Sequence, residues 1–417
     1  MELNDRLAAL LTESRARTLG ILEPYADAVL RRQHDLLMSP MVWDLAHVAN
    51  YEDLWLVRAL GGDPTRHGLD DLYDAFKQPR NVREALPLLD PDGARAYAGE
   101  VRARALDLLD GADLSSEVAD PLLRHGFVHA MVVQHEHQHA ESLLAAVQLL
   151  PLHEGHRLDA APPLTSGSIP TAEVLVPPGS FTMGTDDPWA YDNERPAHTV
   201  DLPAYWIDAA PVTNAHFAEF LAEGGYDDER WWSTEGWSWR HEADLRAPQF
   251  WRRDGHTWLR VRFGTVEAVD PSEPVQHVCW YEADAFARWA GKRLPTEQEW
   301  ERAAQGTEAA LERANLGQRH LGPVPIGALP AGVSDAGCHH MVGDVWEWTS
   351  SDFEPHPGFV AFPYDEYSAV FHGDRYKVLR GGSWATHPSA ARPTFRNWDL
   401  PIRRQIFAGF RCARDAA

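Results

Sequence analysis

The sequence predicts a multidomain protein in which an all-α part is followed by an α+β part. Apolar residues recur at helical spacing from Asn4 to Leu150, whereas beyond residue 172 short apolar runs alternate with Gly, Pro, Asp and Asn. At 417 residues, the chain is also too long for one ordinary core. We therefore expect a four-helix bundle over residues 1–155, a linker over 156–172 and an irregular α+β domain over 173–417.

The predicted bundle rests on four amphipathic segments with connections of varied length. Asp5 is the expected N-cap of the first segment, and Pro24 ends it. Pro40 suits the first position of the second segment, and the turn at residues 90–93 precedes the third. The expected helices run from Asn4 to Leu22, from Pro40 to Val57, from Ala94 to Leu109 and from Pro121 to Leu150. Such a series is typical of a four-helix bundle.

The C-terminal part has a different texture. Pro162, Pro163, Gly167 and Pro170 predict an extended linker before it. Beyond the linker, helical periods are few, and we predict much loop and little regular sheet. The helices expected there are Thr213–Ala222, Glu282–Ala290 and Thr296–Ala304.

Composition and charge exclude several classes of function. A formal net charge of -24 argues against nucleic acid or an anionic membrane surface as a partner. The chain contains no apolar run of about 18 residues, and its first residues lack a signal-peptide pattern. Cys279, Cys338 and Cys412 are few and widely spaced, so we expect buried small side chains in a cytoplasmic protein.

Three histidines within five residues form the main functional candidate. His135 and His139 are four residues apart on the fourth predicted helix, so their imidazoles project from one face. Two ring nitrogens at this spacing can share a metal ion. His137 lies on roughly the opposite side of the helix, and we expect it to face solvent.

A metal site needs a third ligand, and His47 on the second predicted helix is the best candidate. A lone helical histidine is more often a core or surface residue, and His125 with His129 shows that four-residue spacing also arises elsewhere. Three neutral imidazoles with open coordination positions suit zinc or iron, and spacing alone does not choose between them.

A second candidate lies near the chain end, where Phe395–Arg404 combines aromatic, acidic and arginine residues. Arginine forks bind carboxylates in bidentate fashion, and tryptophan faces attract quaternary ammonium groups. A network of surface salt bridges is the alternative interpretation. Arg83, on the connection after the second helix, could reach the same pocket if the two domains face each other.

Seven short motifs then resemble a known domain. In order they are similar to those of the formylglycine-generating-enzyme (sulfatase-modifying factor) domain, which implies an irregular C-type-lectin-like fold. The motifs are Val176–Gly184, Asn193–His198, Pro211–Asn214, Gly291–Glu297, Gly343–Trp348, Leu379–Trp384 and Gly409–Cys412. The N-terminal segment resembles the DinB-like four-helix bundle, whose metal site consists of three histidines.

The fusion of these domains, in this order, resembles the ergothioneine-pathway sulfoxide synthases. The resemblance implies that His47, His135 and His139 bind a mononuclear non-haem iron(II). It implies an O2-dependent oxidase that joins the sulfur of γ-glutamylcysteine or cysteine to the imidazole carbon of hercynine, the trimethylated histidine, and gives a sulfoxide. Gln138 and Trp398 would contact hercynine. Arg83, Asp399 and Arg403 would contact the thiol co-substrate. Asn397 and His387 are further predicted substrate-binding residues.

Some features keep alternatives open. The family uses a tyrosine as proton donor, and Tyr364 and Tyr367 are both candidates. His387 lies after Trp384 in a stretch that resembles the family less than the surrounding motifs do, and it could signal a different co-substrate. The related selenoneine synthases, which join a selenosugar to hercynine, and a non-catalytic DinB-type metal-binding protein are the alternative functions. The resemblance also implies a structural Ca2+, whose ligands the sequence does not identify. It implies small-molecule substrates only, and it does not specify the oligomeric state.

Overall fold

The computed structural model describes residues 2–155, 164–168, 172–330 and 332–416. The chain divides into two compact units, one comprising Met1–His156 with Asp187–Trp189 and the other Arg157–Asp186 with Ala190–Ala417. Most of the predicted linker, at 156–163 and 169–171, lies outside the described residues. In the part of the chain that the structure describes, no helix combines the length and apolar character needed to cross a membrane.

The first unit is helical, and its four long helices confirm the predicted bundle. Helix α1 packs against α6, and α3 packs against both α5 and α6. A π-helical turn at Asp53–Arg58 continues α3. The helices are α1 (Leu3–Leu22), α2 (Asp27–Arg31), α3 (Met41–Glu52), α4 (Asp70–Tyr73), α5 (Pro91–Asp110) and α6 (Phe127–Gln148).

Three predicted helix starts were wrong. Helix α5 begins at Pro91, not at Ala94, because Asp90 caps it by accepting from the Gly93 N–H at 2.7 Å. Helix α1 begins before Asp5, because the Arg6 N–H already donates to the carbonyl of Glu2 at 3.1 Å. Helix α6 begins at Phe127, not at Pro121, because the residues before it have positive φ, 70° at Gly126. A Cβ on Gly126 would lie 2.5 Å from the nearest side-chain carbon of α1, so a glycine fits this close approach.

Helix α3 is enclosed on every side. All of its residues from Met41 to Glu52 are buried. Its polar side chains therefore need protein partners, since an unpaired polar group in such a place is costly. Asn50, for example, accepts a hydrogen bond from the Tyr97 hydroxyl at 3.3 Å. The remaining polar residues of α3 belong either to a buried ion-pair network or to the histidine cluster.

The ion-pair network takes one charged residue from each long helix. Arg15 of α1 donates to Glu136 of α6 at 2.6 Å and to Glu52 of α3 at 2.8 Å. Arg102 of α5 donates to Glu136 at 2.7 Å and also pairs with Glu52. All four side chains are buried. We call Arg15, Glu52, Arg102 and Glu136 the four-charge ring; its two cations and two anions tie the four helices together.

The second unit contains small sheets between helices and long loops, as expected from the sequence. Strand β4 lies between β1 and β12, and β9 and β8 form the centre of a four-stranded sheet flanked by β10 and β11. The strands are β1 (Glu173–Val176), β2 (Gly179–Met183), β3 (His198–Leu202), β4 (Tyr205–Asp208), β5 (Trp251–Asp254), β6 (Thr257–Arg262), β7 (Thr265–Ala268), β8 (Trp346–Phe353), β9 (Gly373–Arg380), β10 (Asn397–Asp399), β11 (Ala408–Gly409) and β12 (Ala413–Asp415).

The three helices predicted in this unit are present, and α8 is an addition. Ser233 caps α8 by accepting from the Gly236 N–H, a short signal that the sequence prediction missed. The three cysteines are buried and unbridged, as predicted. The helices are α7 (Asn214–Ala222), α8 (Thr234–Glu242), α9 (Trp280–Trp289) and α10 (Glu297–Ala303).

The four-charge ring predicts a large stability effect from one substitution. Burial alone would raise the pKa of Glu136, but the charges of Arg15 and Arg102 outweigh burial and leave that pKa below its usual range. Glu136→Gln removes one anion and leaves buried arginine charge uncompensated. We expect the free energy of unfolding to fall by about 3–5 kcal/mol in urea titrations at neutral pH.

Glu100→Gln is the matched control, because Glu100 pairs with Arg66 on the exposed surface of α5. Its effect should stay below about 1 kcal/mol. Because the ring depresses the pKa of Glu136, its stabilising contribution should also decline as pH falls below the carboxyl's unfolded pKa. Equal effects for the two variants would contradict a special role for the ring.

Candidate metal centre

Three histidines from two bundle helices converge in the first unit. One ligand atom each from His47 on α3 and from His135 and His139 on α6 lie within 4.8 Å of one another. Among the described residues, this is the sole group of three or more His, Cys, Asp or Glu side chains with such spacing. A metal ion could therefore be held here, as the spacing of the histidines predicts.

Two of the imidazoles are oriented by acceptors on their Nδ1 atoms. His47 Nδ1 lies 2.7 Å from the carbonyl oxygen of Tyr73, and His139 Nδ1 lies 3.1 Å from Oδ1 of Asp44. A carbonyl or carboxylate oxygen only accepts, so each Nδ1 carries the proton. The Nε2 lone pair of each ring is then available for a metal, which is the usual arrangement of metal-binding histidines.

Burial favours the neutral imidazole that a metal requires. It lowers the pKa of His47 to about 3, and the nearby His139 lowers it further, against the hydrogen bond to Tyr73. Burial likewise lowers the pKa of His135 well below its usual value. At neutral pH, both rings therefore present lone pairs without first losing a proton. This donor set fits a divalent transition-metal ion such as zinc or iron.

Aromatic side chains hold the cluster from outside. The Tyr51 ring stacks on His135 with centroids 3.8 Å apart, and the Trp43 ring stacks on His47 at 4.6 Å. The Arg83 guanidinium lies 3.5 Å from the Trp43 ring centroid, on a cation–π contact. Arg83, Trp43 and His47 thus form one continuous stack, in which the indole lies between the guanidinium and the candidate metal ligand.

Arg83 is buried and already has protein acceptors. Its Nη1 donates to the Ser39 hydroxyl at 2.6 Å, and its Nε donates to the carbonyl of Gln78 at 2.8 Å. Burial lowers its pKa to about 10, so the guanidinium remains charged at neutral pH. The side chain is therefore a fixed cation close to the histidine cluster, and its contact with a substrate stays a prediction.

The expected solvent exposure of His137 was wrong. His137 is only 2% exposed, because α6 is buried around most of its circumference here, as the buried neighbours Val133, Gln134 and Glu136 show. Gln138, predicted to contact a substrate, is half-buried on the same helix, next to His139. Its backbone carbonyl accepts from the Ser142 hydroxyl at 3.2 Å, an ordinary contact one turn further along.

In the second unit, the Phe395–Arg404 stretch has both structural and candidate functional residues. Arg396 is fully buried and forms two hydrogen bonds to Glu297, at 2.9 and 2.8 Å, so it is a structural residue. Trp398 on β10 stacks on Phe353 with centroids 4.1 Å apart. An ion pair thus accounts for part of this stretch, but it is buried, whereas the alternative interpretation placed salt bridges at the surface.

The other predicted residues of this stretch lie close to Trp398. Arg403 is buried, and its Nε lies 3.4 Å from Oδ2 of Asp399. Asn397 Oδ1 accepts from the Trp398 N–H at 2.9 Å.

His387, the remaining substrate candidate of the second unit, lies before this stretch. It caps the short turn at Pro388–Ala390, because its Nδ1 accepts from the Ser389 N–H at 3.2 Å. The capping bond thus occupies Nδ1 of His387.

Tyr364 and Tyr367 flank one short turn in a loop of the second unit. Their ring centroids are 5.7 Å apart, and the Tyr367 N–H donates to the Tyr364 carbonyl at 3.2 Å. Tyr367 also packs edge-on against Tyr191, with centroids 4.6 Å apart. Both candidates therefore remain, and the loop positions them together.

Asp44 is a site residue that the sequence prediction missed. It is buried on α3 and accepts from His139, whereas only His47 was singled out on that helix. The available signal was its spacing, since a residue three positions before His47 shares that helix face. An acidic side chain on an otherwise apolar face points to a charged or hydrogen-bonding partner.

Comparison with known protein families identifies the two domains of the chain. Residues 10–143 match the DinB superfamily, and residues 162–416 match the sulfatase-modifying factor enzyme 1-like domain. The chain is therefore a DinB-type helical domain with a three-histidine cluster, followed by a sulfatase-modifying-factor-like domain.

Relatives with the same two-domain extent narrow the class. The chain is 49% identical to the hercynine oxygenase of Mycolicibacterium smegmatis and covers 99% of both sequences. It is 49% identical to the hercynine oxygenase of Mycobacterium tuberculosis over the same shares. The formylglycine-generating enzyme of Streptomyces coelicolor is 34% identical, over 58% of this chain and 89% of that one. This chain belongs to the hercynine oxygenase family.

We predict that the histidine cluster is required for metal binding. His135→Ala should reduce the metal content of the purified full-length protein by about tenfold or more, because a two-imidazole site binds a divalent ion weakly. Elemental analysis after metal loading and desalting measures the stoichiometry. His129→Gln is the control, since His129 is a buried histidine of α6 outside the cluster. Stoichiometric metal in His135→Ala would exclude this site.

A second prediction concerns Asp44. Asp44→Asn removes the negative charge that accepts from His139 and allows the amide group to present a donor instead. Metal affinity should fall by about 10- to 100-fold, as for other outer partners of ligating histidines. Competition with a chelator of known affinity measures the change. Asp71→Asn, at an exposed carboxylate in the same unit, should leave affinity unchanged; an equal loss there would argue against a role specific to Asp44.

Proposed function

We propose that this chain is a cytoplasmic non-haem iron(II)- and O2-dependent oxidase acting on hercynine. It joins the sulfur of a thiol, γ-glutamylcysteine or cysteine, to the imidazole carbon of hercynine and gives a sulfoxide. The carrying observation is the convergence of His47, His135 and His139 in a chain that aligns with hercynine oxygenases over 99% of its length. A metal-binding module without catalysis would not account for that full-length similarity.

The proposed reaction balances with O2 as the sole oxidant. The hercynine ring loses one C–H hydrogen, the thiol loses one S–H hydrogen, and both leave in water with one oxygen atom. The second oxygen atom becomes the sulfoxide oxygen. Formation of the C–S bond and oxidation of sulfur each release two electrons, and O2 takes all four.

His47, His135 and His139 would hold the iron, which supplies a site for O2 and a sulfur ligand when it is bound. The chain's own contribution is the orientation of two of the rings. The Tyr73 carbonyl and the Asp44 carboxylate keep a proton on Nδ1 of His47 and His139 and direct Nε2 inward. Three histidines leave coordination positions open for substrates.

Recognition of hercynine requires groups for a trimethylammonium cation and an imidazole. The Trp398 indole offers an aromatic face, and its stacking on Phe353 fixes the ring plane. Asn397 and the half-buried Gln138 offer amide groups for hydrogen bonds. We assign Gln138 and Trp398 to hercynine on their chemistry and on family resemblance, and Asn397 on its chemistry alone.

Recognition of the thiol substrate requires cations for its carboxylates. Arg83 and Arg403 are buried guanidinium groups; hydrogen bonds fix the first, and an ion pair with Asp399 holds the second. Such fixed groups lose little side-chain entropy when they bind a carboxylate. Asp399, paired with Arg403, could accept from the ammonium group of the same substrate. Tyr364 or Tyr367 would supply a proton during the reaction.

The test offers hercynine with γ-glutamylcysteine, cysteine or a selenosugar to the iron-loaded full-length protein. We expect O2 uptake with one thiol, and a product with the summed substrate mass minus two hydrogens plus one oxygen. His47→Ala should abolish uptake. Turnover of hercynine with the selenosugar, and with neither thiol, would show that the co-substrate is a selenium donor and not the proposed thiol. Tight zinc binding without O2 uptake for any pair would instead indicate a non-catalytic protein.

A further inference from the structure

The loop at residues 362–368 carries both candidate proton donors, and one carboxylate holds both of its ends. Oδ2 of Asp192 accepts from the Phe362 N–H at 3.2 Å, and Oδ1 accepts from the Ser368 hydroxyl at 2.5 Å. Asp192 is distant in sequence from the loop and is only 3% exposed. A single side chain thus closes the loop at its base.

Asp192 is itself firmly placed. It begins the short turn at Asp192–Glu194, in which Oε1 of Glu194 accepts from the Tyr191 N–H at 3.0 Å. Glu194 is fully buried, and its other oxygen accepts from Arg392 and from Thr394, each at 2.8 Å. The loop is therefore attached to a turn that is fixed by a charged pair.

The residue before Asp192 contacts the candidate donor directly. The Tyr191 ring packs edge-on against Tyr367, with centroids 4.6 Å apart. Tyr191 also lies 5.6 Å from the Phe395 ring centroid. Tyr191 and Asp192 thus hold the loop in two ways, through the groups that Asp192 binds at its two ends and through the Tyr367 side chain.

The loop is short and irregular. It contains one short turn, in which the Tyr367 N–H donates to the Tyr364 carbonyl at 3.2 Å. Asp365 and Glu366 at its tip are exposed. Irregular segments with exposed residues open with lower free energy than packed helices or strands, so the bonds at the two ends contribute to holding this loop.

Burial raises the pKa of Asp192 to about 6, although the hydrogen bonds from Ser368 and Phe362 act in the opposite direction. A carboxylate kept in such surroundings is costly, and a desolvated acid of this kind is more common near functional sites than elsewhere. Its retention at the base of this loop agrees with a role beyond simple packing.

We propose that Asp192 is a positioning residue, which fixes the loop at residues 362–368 so that its tyrosine donates a proton to the bound substrate. The inference rests on the proposed function. Asp192 does not touch the reacting atoms in this account. It acts on the loop through the Phe362 N–H and the Ser368 hydroxyl, and Tyr191 contributes to the placement of Tyr367.

The test compares Asp192→Asn, Ser368→Ala and the control Asp365→Asn in the full-length iron-loaded protein. Asn presents one acceptor oxygen for two donors, and Ser368→Ala removes one of the two bonds. Amide hydrogen exchange of residues 362–368 without substrates should become about tenfold faster in both variants. Asp365 is exposed at the loop tip, so Asp365→Asn should exchange like the unmodified protein.

Turnover separates positioning from a merely structural contact. We expect kcat to fall by about 10- to 100-fold in Asp192→Asn, with the KM for hercynine changed by less than about threefold. Unchanged exchange, or faster exchange with unchanged kcat, would overturn the positioning role while leaving the proposed function intact. Absence of hercynine-dependent O2 uptake in the unmodified protein would instead overturn the proposed function, and the positioning role with it.

Discussion

The first unit depends on a buried ring of four charges. Arg15, Glu52, Arg102 and Glu136 come from four different helices, and every pairing in the ring crosses between helices. Burying charge is unfavourable, and ion pairs recover that cost only with good geometry and full hydrogen bonding. Apolar packing tolerates small shifts of one helix along another, but these pairs do not. The ring therefore selects one register among the many that an apolar bundle would accept.

That register places the metal ligands. On α6, Glu136 of the ring is next to His135 of the cluster, and the two side chains project about 100° apart around the helix axis. On α3, Glu52 follows His47 by a little more than one turn. Both helices thus present a charge to the ring and an imidazole to the cluster. A slip of either helix would break both arrangements, so the network that specifies the bundle also specifies the metal centre.

The sequence predicts what depends on local spacing. Helical periodicity gives the bundle, and the interval between His135 and His139 gives two ligands, because a helix converts sequence distance directly into direction. The exposure of His137 could not be predicted, because it depends on how much of the circumference of α6 is buried in the folded protein. Asp192 was missed for a related reason, since its partners in the loop at residues 362–368 are far away in sequence and lie in irregular structure with no period. Motif resemblance supplied the second domain, where patterning alone predicted only an irregular α+β fold.

Helix α3 has a consequence for how this protein can change. Each residue from Met41 to Glu52 is enclosed, so every substitution there alters either packing, a buried hydrogen bond or a charge. Random mutagenesis should find very few neutral positions in this segment. New substrate preferences are therefore more accessible through variation in the loops of the second unit, where exposed side chains tolerate replacement. An engineering library would keep α3 constant and diversify elsewhere.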